Sequence, residues 1–281
     1  MLSRTVNSRM LPVTDDRRLI ALYSQDQRRR GLLASTIDGR SDHLRSFLIE
    51  FPQGFGAVTG EEIQVMLDKR RGTKNKGGID PRTRSWWLSC LHNFYAWAID
   101  TGYLDHDPTA KIQRPRVRRT LPRPMHDPDL QRAITNADAK KRCWLLLGAC
   151  QGLRCQEIAG LNREDVIETD GLLRVVHGKG QHERLLPLHP DVLAALEALP
   201  MPSDGALFRR ERMLNRYPPA QLVKELNKYL RSQGITSTAH SLRHWFGTKL
   251  YQDTHDLRLT QEMLGHESPQ TTAPMCHSAA S

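Results

Sequence analysis

The sequence predicts a mainly α, α+β chain of two domains, with one small antiparallel sheet in the second. Three observations carry this. Apolar residues recur at helical spacing through most of both halves. Two short β-type runs, 172–176 and 184–188, flank a glycine-containing turn. A basic stretch at 111–124, broken by prolines, separates the halves, and 281 residues is a comfortable length for two domains.

Residues 1–30 read as a basic N-terminal segment with a short helix from Asp15 on, ending in Arg28, Arg29 and Arg30. A helical domain follows at 31–110. Ser35 and Thr36 precede a helix that places Leu44, Phe47 and Leu48 on one face. Thr59-Gly60-Glu61-Glu62 is a capping box, in which each side chain satisfies the other's backbone N–H. Residues 72–78 form a basic loop. Asp80-Pro81 opens a longer helix through Trp86, Trp87, Leu91, Phe94, Tyr95 and Trp97, and 103–110 closes the domain with a turn.

The linker, 111–124, holds Lys111, Arg114, Arg116, Arg118, Arg119 and Arg123 and no acid. Pro115 and Pro122 forbid a continuous helix there. An extended cationic strap can lie along a phosphate backbone; the other reading is a solvated hinge with incidental charge. The second domain, 125–281, starts with helices around 130–134 and 144–147. Its two strands are joined at 177–183, where Gly178 and Gly180 make the turn. Helices follow at 190–199, 220–233, 241–251 and 258–264.

Composition narrows the function. A formal net charge of +10 favours a polyanionic partner through charge neutralisation and counterion release. The five cysteines show no CxxC spacing, and an odd number without a signal core predicts reduced thiols in a cytoplasm. The apolar run at 143–150 is far short of the roughly 20 residues needed to span a bilayer. No membrane association is expected.

Four groups of residues carry the chemistry. In Gly152-Leu153-Arg154-Cys155-Gln156-Glu157, a helix puts Arg154 on one face with Glu157, Ile158 and Leu161. Such an arginine is either paired internally with Glu157 or aimed at a phosphate, which its fork geometry suits. Lys179 stands between Gly178 and Gly180 at a hairpin tip, with none of the P-loop pattern around it. In His240-Ser241-Leu242-Arg243-His244, one helical face holds Leu242, Trp245, Phe246 and Leu250, and the opposite face holds His240, Arg243 and His244. His240 and His244 have zinc spacing, but Ser241 stands where a zincin carries its Glu, and no third ligand is near. Leu264-Gly265-His266 closes a helix, with Gly265 as its C-cap.

Taken in order, GLRxxE, GKG between two strands, HSLRH and LGHxSPQTT resemble the catalytic boxes of the tyrosine recombinase (phage integrase) family over 152–272. The helical first half and basic linker resemble that family's core-binding domain in architecture. The resemblance implies metal-free and cofactor-free cutting of duplex DNA by a tyrosine, through a 3′-phosphotyrosine link with a 5′-hydroxyl leaving. It implies that Arg154 and Arg243 clamp the non-bridging oxygens, where transition-state charge gathers. Lys179 would donate a proton to the leaving oxygen, and His240 would transfer a proton near the nucleophile. His266 would hydrogen-bond the phosphate, with Glu157 in a supporting role. Lys111, Arg114, Arg116, Arg118 and Arg119 would follow the DNA backbone, and other protomers would share the DNA, as tetramers in the family.

One position departs from the family pattern. The nucleophilic tyrosine is expected nine residues beyond the LGH histidine, where this sequence has Met275. A thioether cannot form the phosphodiester link. All six tyrosines lie upstream, Tyr251 being the nearest in sequence, and the neighbours Cys276 and His277 are the local alternatives. Pro274 also disturbs a helix through this position, and the tail after it is expected to be shortened relative to the family. Three functions stay open on the sequence: a site-specific recombinase or integrase, a catalytically inactive DNA-binding relative, and a metal hydrolase built on His240 and His244.

Overall fold

A computed structural model describes residues 15–69, 79–117, 123–176, 183–210, 215–266 and 272. Among these the chain forms eleven α-helices and one three-stranded antiparallel sheet, the architecture that the periodicities predict. It divides into two compact units, Met1–Arg119 and Thr120–Ser281. No described helix is long and apolar enough to cross a membrane.

The first unit packs α1 (Asp16–Arg29), α2 (Ala34–Glu50), α3 (Gly60–Lys69) and α4 (Pro81–Asp100) around an aromatic core. Leu19, Ile20 and Tyr23 of α1 join Leu44 and Phe47 of α2, Ile63 of α3, and Trp87, Leu91, Phe94 and Tyr95 of α4. Phe55, in the turn between α2 and α3, lies at the centre, its ring 4.4 Å from Phe94, while the Tyr95 hydroxyl donates to Phe55 O at 3.0 Å. Helix starts follow the local chemistry. Asp15 and Asp80 accept the N–H of Arg17 and Arg82, and Thr59 and Glu62 satisfy one another's backbone N–H reciprocally. The second helix begins earlier than the Ser35-Thr36 signal implies. Leu33 is its N-cap without a side-chain bond, and both hydroxyl residues lie within the first turn.

The second unit is organised around α6 (Ala139–Ala149), whose residues from Cys143 to Ala149 are all buried. A helix apolar on every side must be central. The helices α5 (Asp127–Thr135), α7 (Cys155–Gly160), α8 (Pro190–Glu197), α9 (Pro219–Ser232), α10 (Ala239–Thr254) and α11 (Leu257–Leu264) complete the helical part of the unit. Leu222, Leu226 and Leu230 give α9 an apolar stripe at four-residue spacing. The strands are β1 (Val166–Ile167), β2 (Leu172–Val176) and β3 (Glu183–Pro187), in the order β1-β2-β3. Leu173 pairs with both Val166 and Leu186, and these three face the core. Sequence periodicity missed β1, which is too short for alternation to register.

Candidate active site

The site is assembled from the α6–α7 connection, β3, α10 and the end of α11. Gly152 takes φ +64°, and a Cβ there would lie 2.4 Å from the Phe246 ring. Only glycine fits that close approach in the left-handed region. Next to it, Gln151 donates through Nε2 to Pro187 O at 3.0 Å, tying this turn to the end of β3.

Arg154 is not inside a helix, as the sequence reading has it. It is the N-cap of α7, with φ −74° and ψ 151°, and Leu161 is the C-cap. Glu157, three residues on, accepts from the Arg154 backbone N–H at 2.7 Å and from its Nη1 at 3.1 Å. At the other end of α7, the Arg216 guanidinium donates to the carbonyls of Ala159, Gly160 and Leu161. Both ends of this six-residue helix are pinned, which fixes Arg154 and Glu157 in space.

Glu157 is 3% exposed and meets three arginines. Arg184 of β3 engages it with both Nη atoms, and Arg243 Nη1 lies 3.6 Å from Oε2. Burial pushes the carboxyl pKa up, but the Arg184 bonds and charge, then the Arg154 N–H and Arg243, bring it down to about 2. Glu157 is therefore ionised, and three guanidiniums against one carboxylate leave the cluster net cationic.

Arg243 departs from the two-faced α10 that the sequence suggests. It is 1% exposed, more buried than Trp245, which sits on the supposed apolar face. Its Nη1 donates to Gly152 O at 2.6 Å and its Nη2 to Leu264 O, while Nε is buried without a partner among the described residues. Burial and the neighbouring Arg154 push its pKa down to about 9, so it stays cationic at neutral pH. The helix tolerates the charge because Arg243 reaches backbone carbonyls at two loop ends.

His266 is 8% exposed, and its Nδ1 lies 2.7 Å from Thr272 Oγ1. Burial, then Arg243, Arg154 and Arg184, push its pKa down to about 3, which keeps the ring neutral. Thr272, itself fully buried, is a partner that the sequence reading left without a role. His240 stays exposed at the start of α10, yet the protein around it desolvates the ring in part, and this, then Arg243 and Arg154, lowers its pKa. Its ring meets His244 edge-on at 4.4 Å, and His244 falls to about 4 through burial, His240 and Arg243.

The structure thus brings Arg154, Glu157, Arg243, His240 and His266 into one neighbourhood and adds Arg184, which the motif reading passed over. Its signal was available: Arg184 alternates with Leu186 on the inward face of a strand, and an inward arginine requires a counter-charge. Lys179, Arg118, Arg119, Met275, Cys276 and His277 lie outside the described residues. Lys111, Arg114 and Arg116 are exposed, and belong to the first unit. Tyr251 is half-buried, with its ring 6.2 Å from His255. Among the described residues no group of three or more His, Cys, Asp or Glu could hold a metal ion. A groove of about 800 Å³ between α1 and α2 and another of about 550 Å³ beside Phe208 do not include these residues.

The chain is similar to known proteins in sequence and in fold. The profile of the phage integrase family matches residues 126–281. The tyrosine recombinase XerD of Lacticaseibacillus casei is 29% identical over 272 residues, 88% of this chain and 89% of that protein. The tyrosine recombinase XerC of Chlamydia caviae is 30% identical over 239 residues, 79% of this chain and 75% of that protein. Among solved structures, a lambda integrase (75–356) dimer bound to a COC′ core site aligns at TM-score 0.72 and 17% identity, over 92% of this chain and 94% of that one. That last likeness is one of fold.

Proposed function

Since the chain belongs to the phage integrase family of site-specific tyrosine recombinases, we propose that it binds duplex DNA at recombination sites and grips a phosphodiester without supplying the attacking group. The observation that carries this reading is the Arg154–Glu157–Arg184–Arg243 cluster, net cationic, in a chain whose nucleophile position is Met275. Arg154 and Arg243 place positive charge where a phosphate's non-bridging oxygens gather charge during cleavage. If Thr272 donates to Nδ1 of the neutral His266, Nε2 keeps its proton and becomes a hydrogen-bond donor to the same phosphate. His240 stands ready as a neutral base, and Lys179 is the residue that would protonate a leaving oxygen once an attacking group is supplied. Glu157 orients the arginines.

The chain's organisation follows the same reading. A core-binding domain at 31–110, which takes α1 of the basic N-terminal segment 1–30 into its core, precedes a strap at 111–124 and a catalytic-type domain at 125–281. Lys111, Arg114, Arg116, Arg118 and Arg119 follow the DNA backbone. The lambda integrase relative, held as a dimer on a core site, supports duplex DNA and further protomers as partners. Its place of action is the bacterial cytoplasm, where such DNA lies. Neither metal nor cofactor is required.

The test is a nicked duplex, built on a site selected by the intact chain, that traps any 3′-linked protein. The intact chain binds it without forming an adduct, whereas Met275→Tyr forms one. Cys276 does not substitute: it stands one residue beyond the nucleophile position, and a misplacement of about 1 Å already costs around a hundredfold in rate. An adduct with the intact chain that disappears in Cys276→Ala overturns the non-cleaving reading. Failure to select any site overturns DNA binding itself.

A further inference from the structure

β3 turns Glu183, Leu185 and Pro187 outward and Arg184 and Leu186 inward. The inward guanidinium is held at every nitrogen. Nη1 and Nη2 donate to Glu157 Oε1 at 3.0 Å and Oε2 at 3.2 Å, and Nε donates to Met263 O at 3.1 Å. With its side chain 13% exposed and each of its three nitrogens tied to a protein acceptor, Arg184 is placed to hold its neighbours. It acts on the groups around it.

A carboxylate offers about four lone-pair positions. Arg184 fills two of those on Glu157, and the Arg154 backbone N–H and Nη1 reach the others. Arg243 Nη1 stays back at 3.6 Å. Without Arg184, the buried carboxylate would draw Arg154 and Arg243 closer to neutralise itself, turning their charge away from a bound anion. The Nε bond meanwhile fastens β3 to the last turn of α11, three residues before His266. Gly265 accommodates this: a Cβ there would lie 2.8 Å from Arg184 Nη1.

We propose that Arg184 is a positioning residue for the phosphate pocket. It saturates Glu157 so that Arg154 and Arg243 stay directed at the anion, and it sets the end of α11 so that His266 meets the same anion. The proposal rests on the pocket reading above and adds what holds the pocket's cations in register.

Calorimetric titration of tungstate, a tetrahedral oxyanion standing in for the phosphate, into the full chain tests it. Arg154→Ala marks the part of the binding that belongs to the pocket. Arg184→Met weakens that binding by about tenfold or more, as expected for displaced cations. Adding Glu157→Gln to Arg184→Met restores the affinity to within about threefold, because the unsatisfied carboxylate is gone. Affinity is the readout, and thermal melting reports folding separately. An unchanged affinity in Arg184→Met, or a loss that Glu157→Gln does not recover, overturns the proposal. Should Arg184→Met not fold, Arg184→Lys keeps the charge but cannot span both oxygens. It must show the same loss and recovery, and its absence overturns the proposal equally. If the intact chain takes up no tungstate at the pocket, the pocket reading falls and Arg184's role falls with it. If the intact chain binds and the Arg184 variants bind alike, only Arg184's role falls.

Discussion

Replacing the carboxylate at 157 with its uncharged isostere, Glu157→Gln, should destabilise the second unit by about 3 kcal/mol at neutral pH. The carboxyl is held at about 2 against an ordinary 4.5, and each unit of pKa corresponds to about 1.36 kcal/mol. An independent route gives the same scale: removing one partner of a buried ion pair costs about 3–5 kcal/mol. The folded-state pKa lies below the unfolded one, so this stabilisation is complete above about pH 4.5 and is lost as pH falls through about 2. The gap between intact chain and variant is therefore widest at neutral pH and narrows on acidification. Urea titrations in buffers from about pH 7 to about pH 3 measure it. Hydrogen-exchange mass spectrometry of α6 and α10 peptides isolates the second unit's transition. A loss below about 1 kcal/mol at neutral pH, or one that stays constant down to about pH 3, would refute the reasoning.

Three further outcomes are expected. Gly265→Ala forces a Cβ into the left-handed region and against Arg184, and should cost about 1–2 kcal/mol by thermal melting; a neutral result would mean that Arg184 does not lie on that turn. In the first unit, Phe47→Ala should cost about 3–5 kcal/mol in urea, while Ile49→Ala, 84% exposed on the same helix, should stay within about 0.5. Converting Arg116, Arg118 and Arg119 together to Ala should reduce the salt slope of DNA binding by about one per lost phosphate contact. An unchanged slope would remove the linker from the interface.

The helices and the two longer strands were legible because each is long enough for its period to repeat, and Asp15, Thr59 and Asp80 announce their own helix starts. The residues of the candidate site stand out in the sequence, but their geometry does not. Arg154 reads as helical because Glu157 and Ile158 follow at helical spacing, yet the turn at Gly152 delivers it just outside the helix. Arg243 reads as polar-face because it follows His240 by three. Its burial depends on carbonyls 91 and 21 positions away in sequence, which no local pattern reports. Arg184 was hidden by lacking a motif, and Thr272 by its hydroxyl being one of many in a polar stretch.

The two carbonyls on Arg243 also bear on the order of folding. Gly152 and Leu264 come from distant parts of the second unit, and one guanidinium stitches both to α10. Closing loops of that span is entropically uphill until the surrounding helices are already docked. The knot around Arg243 should then form late, after α6 has collected its neighbours, and substitutions at Arg243 should chiefly speed unfolding rather than slow folding. A nascent or half-folded chain would carry its full positive charge but no assembled arginine cluster around Glu157. Tight retention at a chosen site would begin only with the final folding step, so binding selectivity itself would report whether the second unit is finished.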